Sequence, residues 1–300
     1  MPKKYQFQLP FDVDLDTHLK KVYPEILEYR TISKSLDARG APRGKKPVFL
    51  YILEALTSKT NHFPEPEKLP TFSALKQKPI IIGAGPGGLF CAVRLAEHGV
   101  PSIILERGDE ANKRMLHIAK FWRYGELDPE TNVCYGEGGA GLFSDGKLIT
   151  RIKSDLVGYV MEKFVMFGAP AETAYVSNPH LGSNKIRGII THISNWLRQQ
   201  GCEIRYNTKV EKLITENGKA IGVELSNGEK LFSDDIVLAT GHSAQDLYQH
   251  LADSKVAMKA KDFAVGVRVE HPRRYIDTLQ HGKFCEAPEM GSARYRFSVS

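Results

Sequence analysis

Hydrophobic and polar positions change period several times along the chain, and each change marks an element. Tyr5-Gln6-Phe7-Gln8-Leu9 alternates as a half-buried strand does. Between Asp16 and Tyr29, Leu19, Val22, Tyr23, Ile26 and Leu27 recur at helical spacing, with Pro24 as the misfit. The run from Pro47 to Leu53 is of strand type. Residues 58–78 carry Pro64, Pro66 and Pro70 among polar residues and read as an extended linker. From Pro79 the pattern is that of a parallel α/β unit. A short buried strand at Pro79–Ile82 precedes a helix with Leu89, Ala92, Val93 and Ala96 on one stripe, and a second strand comes after it at Pro101–Leu105. The spacing predicts another helix over Asn184–Gln200, striped by Ile186, Ile189, Ile190, Ile193, Trp196 and Leu197, with Ser183 as cap and Gly201 as stop. Strand-like segments come next, joined by Asn217-Gly218 and Asn227-Gly228, the dipeptides of tight hairpins. They predict a β-meander at about 209–232, ahead of a last buried strand at Asp235–Leu238.

The expected fold class is therefore α/β: a Rossmann-like domain with an inserted β-meander, preceded by a small α+β domain. The expected boundaries are 1–57 for the small domain, 58–78 for the linker, 79–242 for the Rossmann-like domain and 243–300 for the start of a further domain. Composition agrees with a globular protein, with 42% hydrophobic and 25% charged residues among 300. The longest apolar run, Pro79–Val93, is too short to span a bilayer before Arg94 interrupts it. No apolar segment backs the basic residues at the N-terminus, so no signal peptide is expected, nor a membrane partner, and the cytoplasm is the default. Charge is uneven. Up to Lys78 there are 14 basic and 9 acidic residues; from Pro79 onward there are 27 and 26. Much of this excess lies in Lys34–Lys46, with five basic residues and one acid. Such a segment is a solvated hairpin tip or a phosphate-binding loop for RNA; no aromatic residues are interleaved in it for base stacking.

The chemistry is concentrated after the strand at Pro79. Gly83-Ala84-Gly85-Pro86-Gly87-Gly88 is G-x-G-x-x-G between a strand and a helix. Gly83 permits the tight turn, Gly85 lets the backbone approach a pyrophosphate, and Gly88 lets the helix pack close. Pro86 suits the first helical turn, and the helix N-terminus offers N–H groups to phosphate. Glu106 ends the second strand 23 residues beyond Gly83, near the ~20 expected of a ribose-binding acid. Its carboxylate can accept from both hydroxyls of a ribose diol. It also argues against a phosphorylated adenosine ribose, although Arg107 beside it softens that repulsion.

Two later features choose between FAD and NAD. Gly136–Leu148 holds five glycines in its first eleven residues, too many for a helix or strand, together with Ser144 and Lys147 as donors. Asp235–Leu238 runs into Ala239-Thr240-Gly241-His242-Ser243, a strand end suited to facing a ligand. Together with the β-meander, these segments resemble the FAD-binding half of two-dinucleotide-fold flavoproteins. Within that group, Gly136–Leu148, Ala239–Ser243, Asn178–Ser183, Phe263–Pro272 and Leu36-Asp37-Ala38-Arg39 resemble a family of uncharacterised bacterial FAD-dependent dehydrogenases. The resemblance covers nearly the whole chain. It implies FAD as cofactor, with Gly83, Ala84, Gly85, Pro86, Gly87 and Gly88 at the pyrophosphate and Glu106, with Arg107 beside it, at the adenosine ribose. It further implies Val210 at the adenine, Gly139, Ser144 and Lys147 near the phosphates or flavin, and Thr240 and Gly241 along the ribityl side. It also implies a substrate domain and a late glycine-acid segment that closes over the flavin. Only 222 residues come after Lys78, nothing after Gly241 matches that segment, and the chain is expected to be a C-terminally shortened form.

No residue stands out as a nucleophile. His242, beside the cofactor strand, and His180, in a loop before the long helix, are the candidate acid–base groups. Cys91, Cys134, Cys202 and Cys285 are widely spaced with no C-x-x-C, which excludes a dithiol reductase and a zinc ribbon; no metal is expected. Trp122 and Tyr124, ahead of the glycine loop, could stack on a ring but read as core packing. The resulting expectation is an FAD-dependent dehydrogenase that moves a hydride between a small molecule and the flavin, with NAD(P)H as a candidate electron partner. The alternative is a nucleotide-binding RNA interactor, or an RNA-modifying flavoprotein that uses the basic N-terminal region.

Overall fold

The computed structural model describes residues 1–65, 69–73, 75–144, 146, 148, 150, 152, 154, 156–177, 179, 181–263, 265–267 and 269–293. Contacts divide them into two compact units: Met1–Pro66 with Ala174–Ser177 and Asp262–Ser300, and Glu67–Thr173 with Asn178–Lys261. The division departs from the expected boundary at 242/243. Ser243–Lys261 stays with the second unit, and the chain from Asp262 groups with the N-terminal unit. Among the described residues no helix is long and apolar enough to cross a membrane.

The first unit opens with β1 (Lys3–Pro10), α1 (Leu15–Val22), β2 (Glu28–Asp37) and β3 (Val48–Leu56). The three strands form an antiparallel sheet in the order β1-β3-β2. Leu19 of α1 packs with Leu9, Tyr51 and Leu53. Asp14 caps α1 by accepting from the Thr17 amide at 2.9 Å. The helix stops at Val22, not at Tyr29, because Tyr23 precedes a proline and leaves the helical region (φ −130°, ψ 59°). The residues after Pro24 lead into β2, which the hydrophobic pattern missed. A register shift between Thr31 and Ser33 breaks the alternation that would have marked that strand. In the basic segment Lys34 lies over the Phe49 ring at 4.2 Å, Arg39 pairs with Asp37 and Lys46 with Asp12. Three of its five cations are thus committed inside the unit.

The second unit is built on β4 (Ile80–Ile82), α2 (Pro86–Glu97), β5 (Ile103–Leu105), α3 (Ala111–Tyr124), α4 (Leu156–Met166), α5 (Ser183–Gln199) and β6 (Glu203–Arg205). The meander β7 (Val210–Glu216), β8 (Lys219–Leu225) and β9 (Lys230–Phe232) comes next, then β10 (Ile236–Leu238) and α6 (Gln245–Asp253). The central sheet runs β10-β4-β5-β6, all parallel. Alternation sends Ile81 and Ile104 to one face, against Leu89 and Val93 of α2 and Ile189 and Ile193 of α5. It sends Ile80, Ile82 and Leu105 to the other face, against Val210, Val223 and Leu225 of the meander. Each fully buried isoleucine contributes roughly 2 kcal/mol by apolar burial.

The meander matches expectation. Asn217 and Gly218 both have positive φ (50° and 76°), as a type I′ hairpin requires. At the second turn only Gly228 does, and the Asn227 side chain instead accepts from the Glu229 amide at 2.9 Å. α5 starts differently from expectation. Its cap position is Gly182 at φ +78°, and Ser183 is already helical. Trp122 and Tyr124 are not core residues either; each is 65% exposed on α3. The final helix of the described chain, α7 (Arg273–His281), belongs to the first unit, where a Cβ on Gly282 would stand 2.8 Å from the Ala41 carbonyl.

The tightest packing on the central sheet is at Gly88, where a Cβ would fall 1.9 Å from the Gly83 carbonyl oxygen. Gly88→Ala is therefore expected to lower the melting temperature by about 5–10 °C, as overpacking of a rigid backbone contact does. A calorimetric scan showing an unchanged transition would contradict this packing.

Candidate functional site

The turn from β4 into α2 forms the floor of a cleft. Gly83 holds φ +105°, and its amide donates to the Leu105 carbonyl at 2.8 Å. A side chain there would strike the Ala239 carbonyl at 2.4 Å. Pro86 stands at the start of α2 and Gly85 is its cap residue, with no side chain capping the helix. The first N–H groups of α2 are thus left for an anion, aided by the helix dipole. Gly85 itself is unlike Gly83 and Gly88. Apart from its neighbours in the chain, no heavy atom lies within 4 Å of where its Cβ would be. The fold's own packing does not require a glycine there, but close approach of a ligand would.

Glu106 directly follows β5 and is 4% exposed. Its carboxylate accepts from the amides of Ala84 at 2.7 Å, Gly108 at 2.9 Å and Gly136 at 2.9 Å. A carboxylate has about four acceptor positions, so roughly one is left. Glu106 can therefore hold one further hydroxyl in this arrangement, where the sequence suggested two. The three amides come from the phosphate turn, the β5 exit and the glycine-rich loop, so the acid fastens three chain segments at one point.

That loop is shaped from beneath by Arg114, a residue that belongs to no sequence motif. Arg114 is fully buried on α3 and donates to the carbonyls of Glu137 at 2.5 Å, Gly139 at 3.0 Å, Asn132 at 2.8 Å and Val133 at 3.2 Å. Burial pulls its pKa down to about 10 against the attraction of Glu106 and Glu137. Glu137 is also buried; it accepts from the Ala111 amide at 2.8 Å and from the hydroxyls of Ser194 and Tyr206. Burial and the neighbouring Glu137 raise the Tyr206 phenol well above its ordinary value, so it stays a donor. A sequence signal for Arg114 did exist: with Ala111 and Ile118 it occupies the buried stripe of an otherwise solvated helix.

At the rim, Arg107 forks onto Asp246 (2.8 and 3.1 Å), donates to Glu130 at 2.5 Å and lies over the Tyr135 ring at 4.2 Å. Lys209 joins Asp246 at 2.9 Å and Glu130 at 3.1 Å. Burial alone would raise the Asp246 carboxyl, but its hydrogen bonds to Arg107 and Lys209 outweigh this and hold it far below the usual range. With its fork on Asp246 and its Nε on Glu130, Arg107 is engaged inside the protein, where the sequence left it available to a phosphate.

These segments enclose a cleft of about 420 Å³, of ligand-site size. Of the expected site residues, Gly83, Gly85, Pro86, Gly87, Glu106, Arg107, Gly139, Val210, Thr240 and Gly241 line it, and so does His242. Two residues expected at the pyrophosphate do not. The Ala84 amide is spent on Glu106, and Gly88 faces the β4 turn. Ser144 does not line it either; its hydroxyl donates to the Gly141 carbonyl at 2.7 Å and accepts from the Gly146 amide at 3.2 Å. Lys147 and His180 lie outside the described residues. All four cysteines are free thiols; Cys91 packs at the edge of the core, and Cys134 lines the cleft. Among the described residues no group of three or more metal-ligating side chains comes together.

Comparison with known proteins gives this cleft a context. Residues 81–115 match the NAD(P)-binding Rossmann-like domain, and residues 262–300 match the family described as FAD-dependent protein, C-terminal domain-like. The second of these matches likens the chain to FAD-dependent proteins. An uncharacterized protein of Clostridium beijerinckii is 41% identical over 224 residues, covering 75% of this chain and 42% of that protein. The FixC protein of Escherichia coli K12 is 25% identical over 205 residues, covering 66% of this chain and 44% of its own length. The chain thus spans less than half the length of these curated relatives. Among solved structures, THI4 of Thermovibrio ammonificans aligns with a TM-score of 0.41 and 18% identity over 61% of this chain and 63% of that one. The family matched at residues 262–300 is FAD-dependent, and the cleft fits FAD: an uncapped helix start, an open Gly85, a remaining acceptor on Glu106, and Gly139 closing against Pro86.

The rim clamp titrates with a definite sign. Because the folded Asp246 pKa is depressed, its contribution to stability is present above the unfolded value of about 4 and is lost as pH falls below it. Melting curves of Asp246→Asn should run below wild type by a constant margin above about pH 5 and converge with it toward more acid pH. A margin that widens in acid would contradict the clamp.

Proposed function

We propose that the cleft binds FAD and that the chain carries the cofactor half of an enzyme passing a hydride between a small-molecule substrate and the flavin. The observation that carries this reading is Gly85, a glycine at an uncapped helix start whose missing side chain faces open space. In this reading Gly83, Gly85 and Gly87 flank the pyrophosphate, Glu106 accepts from one adenosine ribose hydroxyl, and Val210 borders the adenine. Gly139, Thr240 and Gly241 border the portion leading to the ring, where FAD, when bound, supplies the two-electron chemistry. The engaged Arg107 supports an adenosine ribose without a phosphate, as FAD has. His242, lining the cleft beside Gly241, is the described candidate for moving a proton at the substrate. NAD(P)H is a suitable electron partner on chemical grounds.

Purified protein incubated with FAD and desalted should retain the flavin and show its visible absorption bands. Gly85→Ala should keep the wild-type melting temperature and yet bind FAD at least about tenfold more weakly, since the added methyl meets the ligand and not the protein. A variant that melts normally and binds FAD with wild-type affinity would sink the assignment of Gly85 to the pyrophosphate.

A further inference from the structure

We infer that Arg114 is the positioning residue of the cleft, the group that sets the glycine-rich wall 132–139 against the phosphate turn. The inference rests on the reading of the cleft as a dinucleotide site, and it concerns a side chain that does not line the cleft.

Arg114 reaches both ends of the wall. Its one terminal nitrogen holds the carbonyls of Glu137 and Gly139, and the other those of Asn132 and Val133. Drawing four carbonyls onto one planar fork folds the segment over the guanidinium. Gly136 sits at the centre of that fold, at φ +114°, and a Cβ there would be 2.3 Å from Arg114 Cδ and 2.4 Å from its Nε. Thus the loop rests directly on the arginine, with no room between them. The wall's amides are then fixed to the other side of the cleft: Gly136 to Glu106, and Gly138 to the Ala84 carbonyl at 2.8 Å. Gly139 consequently abuts Pro86, where a Cβ would be 3.0 Å from Cδ. Without the guanidinium, four carbonyls lose its hydrogen bonds, and only the amide contacts of Gly136 to Glu106 and of Gly138 to Ala84 remain to set the spacing between the wall and Gly85.

Packing alone would not select this residue. An apolar side chain in the 111–118 stripe of α3 would fill the space without burying a charge. Arg114 Nε is moreover buried without a hydrogen-bond partner, an unfavourable feature that a purely structural residue would not need to retain.

The test compares wild type, Arg114→Met and Arg114→Lys in the whole chain. The readouts are circular dichroism, melting temperature and the calorimetric Kd for ADP, measured well below each variant's unfolding transition. ADP carries the pyrophosphate and adenosine without any redox function. The methionine variant is expected to stay folded and to bind ADP about 10- to 100-fold more weakly, as expected when a buried set of acceptors loses its donor. The lysine variant, a point charge that reaches fewer carbonyls, should fall between it and wild type. A merely structural role lowers the melting temperature but leaves the Kd of the folded protein unchanged; that result in Arg114→Met overturns the proposal. Should Arg114→Met not fold, Arg114→Lys decides it: weakened binding supports the positioning role and wild-type Kd overturns it. Wild-type protein that binds neither ADP nor FAD would overturn the reading of the cleft itself, and the proposal with it.

Discussion

A buried arginine and two buried carboxylates hold the cleft together. Arg114, with no exposed surface, lies within the fields of two carboxylates, Glu106 and Glu137, each nearly inaccessible. Each is held by its own hydrogen bonds: Arg114 on four carbonyls, Glu106 on three amides, and Glu137 on one amide and two hydroxyls. A hydrogen bond to a charged group contributes roughly 1.5–3 kcal/mol, whereas an exposed ion pair contributes about 0–1 kcal/mol. The comparison decides which charges organise the site. The Arg107–Asp246–Lys209 clamp is visually larger, but its acid is 42% exposed in side chain, so it orders the rim without holding the core. The buried set, by contrast, ties the phosphate turn, the β5 exit, α3, α5, the glycine-rich loop and Tyr206 to one another through named hydrogen bonds.

Around this cluster the glycines of the fingerprint are not equivalent. Gly83 and Gly88 are demanded by the protein's own backbone, since side chains there would collide with Ala239 and with Gly83. Gly85 is demanded by no contact among the described residues. The motif therefore combines two constraints, one that closes the turn and one that leaves space. Glu106 shows the same doubling: most of its acceptor capacity is structural, and the remainder faces the cleft.

The features legible in the sequence were the local ones. The G-x-G-x-x-G turn, the stripe of α5, the type I′ turn at Asn217-Gly218 and the acid at Glu106 each depend on residues within a few positions or one β-α-β unit. The features hidden from it depend on partners far along the chain. Arg114 meets carbonyls 18 to 25 residues away, and Arg107 meets Asp246 139 residues away. Ser144 looked like a ligand donor because its hydroxyl could serve either a phosphate or its own loop; the nearby Gly141 carbonyl and Gly146 amide take it. β2 was hidden by its bulge and polar faces, and α1 was overextended because its apolar spacing ran past Pro24.

The central claim is that the cleft is pre-organised by the buried acid and arginine and receives a dinucleotide. Residue-resolved amide exchange, with and without ADP, tests it most directly. The account predicts that the amides of Ala84, Gly108 and Gly136, all bound to Glu106, are protected in the free protein. It predicts that they slow further when ADP is added, together with the amides at the start of α2. Fast exchange at these three amides in the free protein, or no response to saturating ADP, would contradict it.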